Sequence, residues 1–183
     1  MSLQSNKVVV SQMDQDHLVI IRKNVADFIN HCSQRYDTDS SKLLLDIAPQ
    51  DYQGAKAFFQ CIVKTLDINP SSDADYIADI CADNSTLIPD NTFDFVLCTE
   101  VLEHTLNPFR ATEEIFRILK PDGLLFLSVP FNLRIHGPLP DCWRFTEHGL
   151  RALLTGFTIL SLEEVATPGR DLMPIHYTVI AKK

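Results

Sequence analysis

Short continuous apolar runs alternate along this chain with stretches in which apolar residues recur every three or four positions. The second spacing, seen from about Asp14 to Tyr36, is that of one face of a helix, which Asp14 or Asp16 could cap. Continuous apolar runs are typical of parallel strands that are buried on both faces. Five such runs precede the Pro-rich region and predict strands at 42–49, 61–68, 75–80, 93–98 and 124–130.

The segment 90–130 is the most informative part of this pattern. It contains a strand, a polar stretch, a helix predicted over 108–119, a Pro-Asp-Gly sequence at 121–123 that ends the helix, and a second strand. This order is one βαβ unit of a doubly wound parallel sheet. Ligands lie at the carboxyl ends of the strands in such sheets, so the polar residues after the fourth strand are site candidates. These residues are Thr99, Glu100, Glu103 and His104.

The pattern changes after residue 130. A Pro-rich connection over 131–145 is long enough to carry function and could form a loop on the substrate side. A short helix over 146–154 follows, and then two strands at 157–162 and 177–181. These last two strands can pair as a hairpin, which predicts antiparallel pairing at the end of the chain.

Length and composition restrict the class of protein. The 183 residues fit one domain, 1–183, in which 1–40 form a leader and the first helix. A net charge of −8 disfavours nucleic acid and anionic membrane as partners. The five cysteines form no CxxC pair, and no apolar run approaches the ~20 residues that span a bilayer, so we expect a cytoplasmic protein. No HExxH-type pattern occurs, and no metal site is predicted.

Acidic residues end three of the predicted strands. Asp67, after the second strand, can accept hydrogen bonds from both hydroxyls of a ribose, or can instead cap the next segment. Asp79 can accept a hydrogen bond from an adenine amino group, or can be a solvated loop acid. Asp46 ends the first strand, where the turn reads Asp-Ile-Ala-Pro-Gln. Without a GxGxxG sequence at this turn, a dinucleotide ligand is disfavoured.

Two histidines are candidates for acid–base chemistry. His104 follows the fourth strand beside a carboxylate and could act as a general base, or could only cap the approach to the next helix. His136 lies in the Pro-rich connection, which could close over a site or could pack onto the core. Candidates on the substrate side are Glu103, Asp141, Trp143 and Arg144.

These motifs resemble a known family. The runs LLLDIAP, LDIN and IPDNTFDFVLCTEVLEHTLNPFRATEEIFRILKPDGLLFLSVPF are similar to class I S-adenosylmethionine-dependent methyltransferases, most of all methyltransferase type 11. The tail HGPLPDCWRFTEHGLRALLTGF resembles a subset of the same family. The resemblance implies a Rossmann-like, seven-stranded, mostly parallel α/β sheet with a C-terminal antiparallel strand. It also implies a cofactor site formed by Asp46, Ile47, Ala48, Asp67, Ile68, Asp79, Ile80, Cys98 and Thr99.

The function that follows is methyl transfer from S-adenosylmethionine to an oxygen or nitrogen of a small-molecule or sugar-type acceptor. His104, or less favourably His136, would serve as base for a hydroxyl acceptor. The alternative is a degenerate binding module without catalysis, because Ala48 stands where the family has glycine. A nicotinamide oxidoreductase is disfavoured by the missing phosphate loop. Neither the acceptor nor the oligomeric state follows from the sequence, although a homodimer is compatible with it.

Overall fold

A computed structural model describes residues 9–49 and 53–183. Within them, three helices and seven strands follow the predicted order, with single 3₁₀ turns at Gly54–Ala57 and Leu102–His104. The helices are α1 (Gln12–Tyr36), α2 (Pro108–Ile118) and α3 (Glu147–Leu153). The strands are β1 (Leu43–Ile47), β2 (Ile62–Asp67), β3 (Tyr76–Ile77), β4 (Phe93–Thr99), β5 (Leu119–Pro130), β6 (Thr158–Val165) and β7 (His176–Lys182). None of the helices in these two ranges has the length and apolar character needed to cross a membrane.

The seven strands form one sheet in the order β3-β2-β1-β4-β5-β7-β6. Strands β1 to β5 pair in parallel, whereas β7 is antiparallel to both β5 and β6. The predicted seven-stranded, mostly parallel sheet with a C-terminal antiparallel strand is therefore confirmed. The chain reverses its direction of travel across the sheet between β1 and β4, and crevices for ligands form at such switch points.

The sheet is covered on both faces. One core cluster joins the sheet to α2 and α3 through residues such as Ile115 and Leu150, and the other joins it to α1 through Ile21, Val25 and Ile29. Both clusters use central-strand residues, which explains why β4 is apolar over most of its length, with Asp94 as the exception before Thr99. Strand β2 differs from the prediction, because only Leu66 of its six residues is buried. It lies near the edge, where β3 contributes only two residues.

The first helix begins earlier than predicted, and neither Asp14 nor Asp16 caps it. Ser11 is the N-cap, and its hydroxyl accepts a hydrogen bond from the Asp14 backbone N–H. Serine is one of the preferred cap residues because its short side chain reaches the free N–H groups of the first turn. Asp14 instead adds negative charge to that turn, where the helix dipole favours it.

The Pro-Asp-Gly sequence lies within β5 and is not a break between α2 and β5, contrary to the prediction, although α2 ends within one residue of the predicted position. The helix ends at Ile118, and β5 begins at Leu119, so residues 121–123 lie inside the strand. Pro121 disfavours a helical conformation at the residue before it, which moves the helix end back towards Ile118. The register with β4 shifts within this stretch, so the three residues form an irregularity in the strand pairing.

Candidate active site

A cavity of about 400 Å³ lies at the carboxyl ends of β1 and β4, at the point where the strand order reverses. Strand-end residues form its floor, α1 forms one wall and the 131–145 connection forms another. The volume is within the range of small-molecule sites. Predicted site residues that line it are Asp46, Ala48, Thr99, Glu100, His104 and His136.

Asp46 is the buried acid of this site. It is 4% exposed, and burial raises the pKa of its carboxyl to about 7, although a hydrogen bond from the Ala55 backbone acts in the opposite direction. A carboxyl group with this pKa carries a partial negative charge at neutral pH. It therefore provides an acidic floor for a ligand that brings a positive charge.

Ala48 follows Asp46 by two residues and has an unusual backbone conformation. Its φ angle is +52°, in the left-handed region that glycine adopts most readily. The turn therefore keeps the backbone geometry that a glycine would provide, with a methyl group added. Gln50, the last residue of the predicted Asp-Ile-Ala-Pro-Gln turn, lies outside the described residues.

A second cavity, of about 590 Å³, lies beside the first. It contains Asp67, the predicted ribose-binding acid, and it shares Asp46 and Pro49 with the first cavity. One Asp67 oxygen accepts a hydrogen bond of 2.8 Å from the Asn69 backbone N–H. The two strand-end acids thus line neighbouring cavities at the carboxyl ends of the strands.

The other predicted cofactor residues are divided between surface and core. Ile68 is 65% exposed and Asp79 is exposed, and Asp79 accepts a hydrogen bond from the Cys81 backbone. Ile47, Ile80 and Cys98 are buried in the apolar core. None of these five residues lines the two cavities as far as the described residues define them.

The two candidate histidines lie together although they come from different segments. The centroids of the His104 and His136 rings are 4.9 Å apart, and Nε2 of each ring lies 3.8 Å from Oε1 of Glu103. Glu103 is fully buried. Burial and the nearby Glu100 raise the pKa of its carboxyl well above its usual range, whereas burial lowers the pKa of His136. The structure thus brings together three ionisable residues that the sequence analysis named as site candidates.

The other substrate-side candidates hold the 131–145 connection in place. Arg144 makes two hydrogen bonds to Asp141, of 2.5 and 2.8 Å, and also donates to the carbonyl oxygens of Leu133 and Arg134. Although burial opposes the change, the contact with Arg144 lowers the pKa of Asp141 to about 2. These contacts fix the position of His136, whose backbone N–H donates to Asp141.

Trp143 lies on the outer side of the connection. Its indole N–H donates to the Thr105 carbonyl oxygen at 2.8 Å, and its backbone N–H donates to the Glu103 carbonyl oxygen. The side chain is 41% exposed and stacks on Phe145. It does not line the first cavity, so in this structure it anchors the connection to the loop after β4.

Sequence reasoning identified Glu100 as a site candidate but missed the chain of polar contacts that holds it. Glu100, which lines the cavity, is bound by His176 and Ser128, and His176 is in turn hydrogen-bonded to Asn24 of α1. Glu100 also has a φ angle of +55°. Strained backbone of this kind is often found at functional sites. The only sequence signal for this chain was the polar stretch after β4.

The wall provided by α1 was also missed. Leu18, Ile21, Arg22 and Val25 all line the first cavity. They lie on successive turns of one side of the helix, so the helical periodicity that predicted a core-facing surface also described this wall. Sequence spacing alone does not distinguish a residue that faces the core from one that faces a cavity.

Comparison with known proteins agrees with this arrangement. A family model described as a methyltransferase domain matches residues 22–127, from within α1 to within β5. The chain belongs to this methyltransferase-domain family. The match confirms the resemblance to class I S-adenosylmethionine-dependent methyltransferases, and it begins before the first strand, where the sequence motifs gave no signal.

Relatives with curated descriptions match only short segments. The ubiquinone biosynthesis O-methyltransferase of Haemophilus ducreyi is 44% identical over 45 residues, which is 25% of this chain and 19% of that protein. The matched segments span about a fifth of the length of the curated relatives, 19% and 22%.

Solved structures share the fold over almost the whole chain. The [4+2]-cyclase SpnF has a TM-score of 0.68 at 17% identity, over 94% of this chain and 95% of that one. The 1,6-didemethyltoxoflavin-N1-methyltransferase of Burkholderia thailandensis, crystallised with 1,6-didemethyltoxoflavin and S-adenosylhomocysteine, has a TM-score of 0.63 at 14% identity, over 97% and 92%. Because one of these proteins is described as a cyclase, the fold alone does not specify the reaction.

Proposed function

We propose that this member of the methyltransferase-domain family transfers a methyl group from S-adenosylmethionine to an oxygen or nitrogen of a small-molecule or sugar-type acceptor. One observation supports the proposal most strongly: strand-end residues of the cofactor motif and the two histidines line one and the same cavity. A donor held by the first set would therefore lie next to an acceptor held by the second.

The residues of the crevice fit S-adenosylmethionine. Asp67 retains one carboxylate oxygen that receives no hydrogen bond from any residue in 9–49 or 53–183, so it can accept one from a ribose hydroxyl. Asp46 supplies negative charge towards the methionine part, and the left-handed turn at Ala48 brings backbone close to it. Ile68 and Asp79 would border the adenine and Thr99 the methionine part, whereas Ile47, Ile80 and Cys98, which are buried in the core, would support these positions from behind. When bound, the cofactor supplies an activated sulfonium methyl group.

The acceptor would occupy the part of the first cavity near His104 and His136. Leu18, Ile21 and Val25 make the α1 wall mostly apolar, which suits a small organic molecule and excludes water from the reacting groups. His104 or His136 would act as the general base. Either imidazole could accept the proton of the acceptor group, or weaken the acceptor's bond to that proton through a hydrogen bond. The net charge of −8 supports a small acceptor rather than nucleic acid, and the 131–145 connection would select it.

The chain's location and organisation are part of the same proposal. The cysteines remain free, with Cys32, Cys61 and Cys98 buried, as expected of thiols in a reducing compartment such as the cytoplasm. We assign the whole of 1–183 to one catalytic domain.

A binding module without catalysis is the second candidate. The methyl group of Ala48 supports it, since this side chain occupies a turn where the backbone must approach the ligand closely. In that case the crevice would bind a nucleoside ligand, and the two histidines would take no part in a reaction.

Turnover distinguishes the two candidates. The purified protein is incubated with S-adenosylmethionine and separate pools of phenols, sugars and amines, and release of S-adenosylhomocysteine is measured against an acceptor-free reaction. We expect at least one hydroxyl or amine pool to raise the release, and a His104→Ala, His136→Ala double variant to reduce it by about 100-fold or more. Saturable cofactor binding with no pool above the blank would contradict the enzyme proposal and support the binding module.

A further inference from the structure

Three potential metal ligands converge beside the cavity. Oε1 of Glu103 lies 3.8 Å from Nε2 of His104 and 3.8 Å from Nε2 of His136, and one donor atom from each of the three residues lies within 4.8 Å of the others. A tetrahedral ion with bonds of about 2.1 Å holds its ligands about 3.4 Å apart. Small rotations of the two rings would therefore bring all three donors into a first coordination shell.

Glu103 lacks the partner that a buried carboxyl group needs. Its side chain is 0% exposed, and neither of its oxygens has a hydrogen-bond partner among the described residues. Buried carboxyl groups are normally hydrogen-bonded, paired with a charge or bound to a metal. The nearest arginine of this region, Arg144, is engaged by Asp141. An unpartnered oxygen that faces two imidazole nitrogens is what a cation site without its cation contains.

The far sides of both imidazoles are already occupied. Nδ1 of His104 lies 2.9 Å from the Pro140 carbonyl oxygen, and this contact requires the proton on Nδ1. Nδ1 of His136 lies 3.1 Å from Asp141 Oδ2, close enough for a charge contact although not aligned as a hydrogen bond. With the ring proton on Nδ1 beside these oxygens, Nε2 of each ring keeps its lone pair, and each Nε2 lies 3.8 Å from Glu103 Oε1. Metal-binding histidines typically use a carbonyl or carboxylate oxygen in this way to fix the ring.

We propose that Glu103, His104 and His136 form a binding site for a divalent first-row transition ion of the zinc class, with a remaining coordination position open to the cavity. Two imidazoles and one carboxylate suit such an ion better than magnesium, which prefers oxygen ligands. The three residues were predicted as site candidates but not as metal ligands, because they come from the loop after β4 and from the 131–145 connection and form no metal-binding motif in the sequence.

This inference rests on the proposed function and specifies how the two histidines would act on an acceptor. A hydroxyl group of the acceptor that occupies the open position would bind the ion through its oxygen. The ion would lower the pKa of that hydroxyl, whose proton passes to water, and the oxygen would remain bound as the anion. In this arrangement the histidines are ligands, and no free imidazole base is required.

The test uses the full chain after treatment with a chelator and removal of the chelator. Zinc chloride is titrated into it calorimetrically, and cobalt chloride is added while visible absorption is recorded. We expect one equivalent of Zn²⁺ to bind with micromolar or tighter affinity, and Co²⁺ to give the intense visible bands of a four- or five-coordinate site. Glu103→Gln and His136→Ala should each weaken Zn²⁺ binding by about 10- to 100-fold.

Two control variants exclude binding elsewhere. His148 is an exposed histidine on α3, and Cys142 is an exposed thiol next to the site, so His148→Ala and Cys142→Ser should bind Zn²⁺ as the wild type does. Thermal unfolding with and without Zn²⁺ shows whether each variant is folded, and the wild-type midpoint should rise when the ion is present. Loss of binding in Cys142→Ser with retention in Glu103→Gln would overturn the assignment.

No saturable Zn²⁺ or Co²⁺ binding by the folded wild type would also overturn the proposal, as would equal binding by wild type and by a Glu103→Gln, His136→Ala double variant. Titration of S-adenosylmethionine into the same metal-free preparation separates this result from failure of the proposed function. Cofactor binding without metal binding would contradict only the proposed metal site. Metal binding without cofactor binding would contradict only the proposed methyltransferase function.

Discussion

Oε1 of Glu100 accepts a hydrogen bond of 2.6 Å from Nε2 of His176, a residue 76 positions further along the chain. The same oxygen accepts a 2.8 Å hydrogen bond from Ser128, and Nδ1 of His176 lies 2.8 Å from the Asn24 amide nitrogen. His176 is fully buried. The chain of contacts joins α1, β7, β5 and the end of β4, and so connects the wall of the cavity to its floor.

Removal of the His176 imidazole should destabilise the protein. His176→Ala leaves the partly buried Glu100 carboxylate without its strongest partner and opens a cavity, so we expect the free energy of unfolding to fall by roughly 2–4 kcal/mol. Urea denaturation measures this change. His31→Ala, which alters an exposed histidine of α1, should change it by less than about 0.5 kcal/mol. Equal effects of the two substitutions would contradict a structural role for the buried chain.

Stability should depend on pH through Asp46. Burial raises its pKa in the folded state to about 7 from 3.8, so the folded protein binds a proton more tightly than the unfolded chain does. Ionisation therefore destabilises the folded state, and the contribution of Asp46 to stability falls as pH rises from about 4 to about 7. Asp46→Asn removes this dependence.

The advantage of Asp46→Asn over the wild type should grow by about 1 kcal/mol for each pH unit between pH 5 and pH 7, and should level off above pH 8. Urea denaturation of both proteins across this range measures the difference directly, and changes common to both proteins cancel. A difference that is constant with pH would show that Asp46 does not titrate between these limits.

Ala48→Gly should stabilise the protein. A left-handed conformation costs an alanine about 1–2 kcal/mol, whereas glycine adopts it readily and loses part of this gain through its greater freedom in the unfolded chain. We expect a net gain of about 1 kcal/mol and unchanged or tighter binding of S-adenosylhomocysteine. Ala57→Gly is the matched control, because Ala57 has no positive φ angle and packs against the α1-side core.

The control variant should lose about 1 kcal/mol, since glycine there adds freedom to the unfolded chain and removes a packed methyl group. Thermal and urea unfolding of the two variants provide the comparison. A loss of stability in Ala48→Gly would indicate that the methyl group of Ala48 makes contacts worth more than the strain.

The sequence predicted the sheet well because the central strands are buried on both faces. β4 and the second half of β5 are apolar apart from Asp94, Thr99 and Ser128, and short apolar runs bounded by turn residues are typical of buried strands. The ends of elements were predicted less well. Ser11 rather than an aspartate caps α1, and the effect of Pro121 on the preceding residue ends α2 early. Both details depend on local geometry, which several nearby residues could have satisfied equally well.

The candidate site was predicted only in part. The strand-end acids and the histidines could be identified because parallel strands bring their carboxyl ends to one edge of the sheet. The role of Arg144 as a clamp on Asp141, and the contact between Glu100 and His176, could not be identified. Arg144 and Asp141 are only three residues apart, but their pairing depends on the irregular conformation of the connection. Glu100 and His176 are 76 residues apart, and neither contact carries a periodic signal in the sequence.

Calorimetric titration of S-adenosylmethionine and S-adenosylhomocysteine into the wild type and Asp67→Asn tests the central claim most directly. We expect one cofactor molecule to bind per chain and Asp67→Asn to weaken binding by about 10-fold or more, the scale of a lost charge-assisted hydrogen bond. Asp171→Asn, which changes an exposed acid far along the chain, should bind as the wild type does. A folded wild-type protein that binds neither compound, or an Asp67→Asn variant that binds both as tightly as the wild type, would contradict the account.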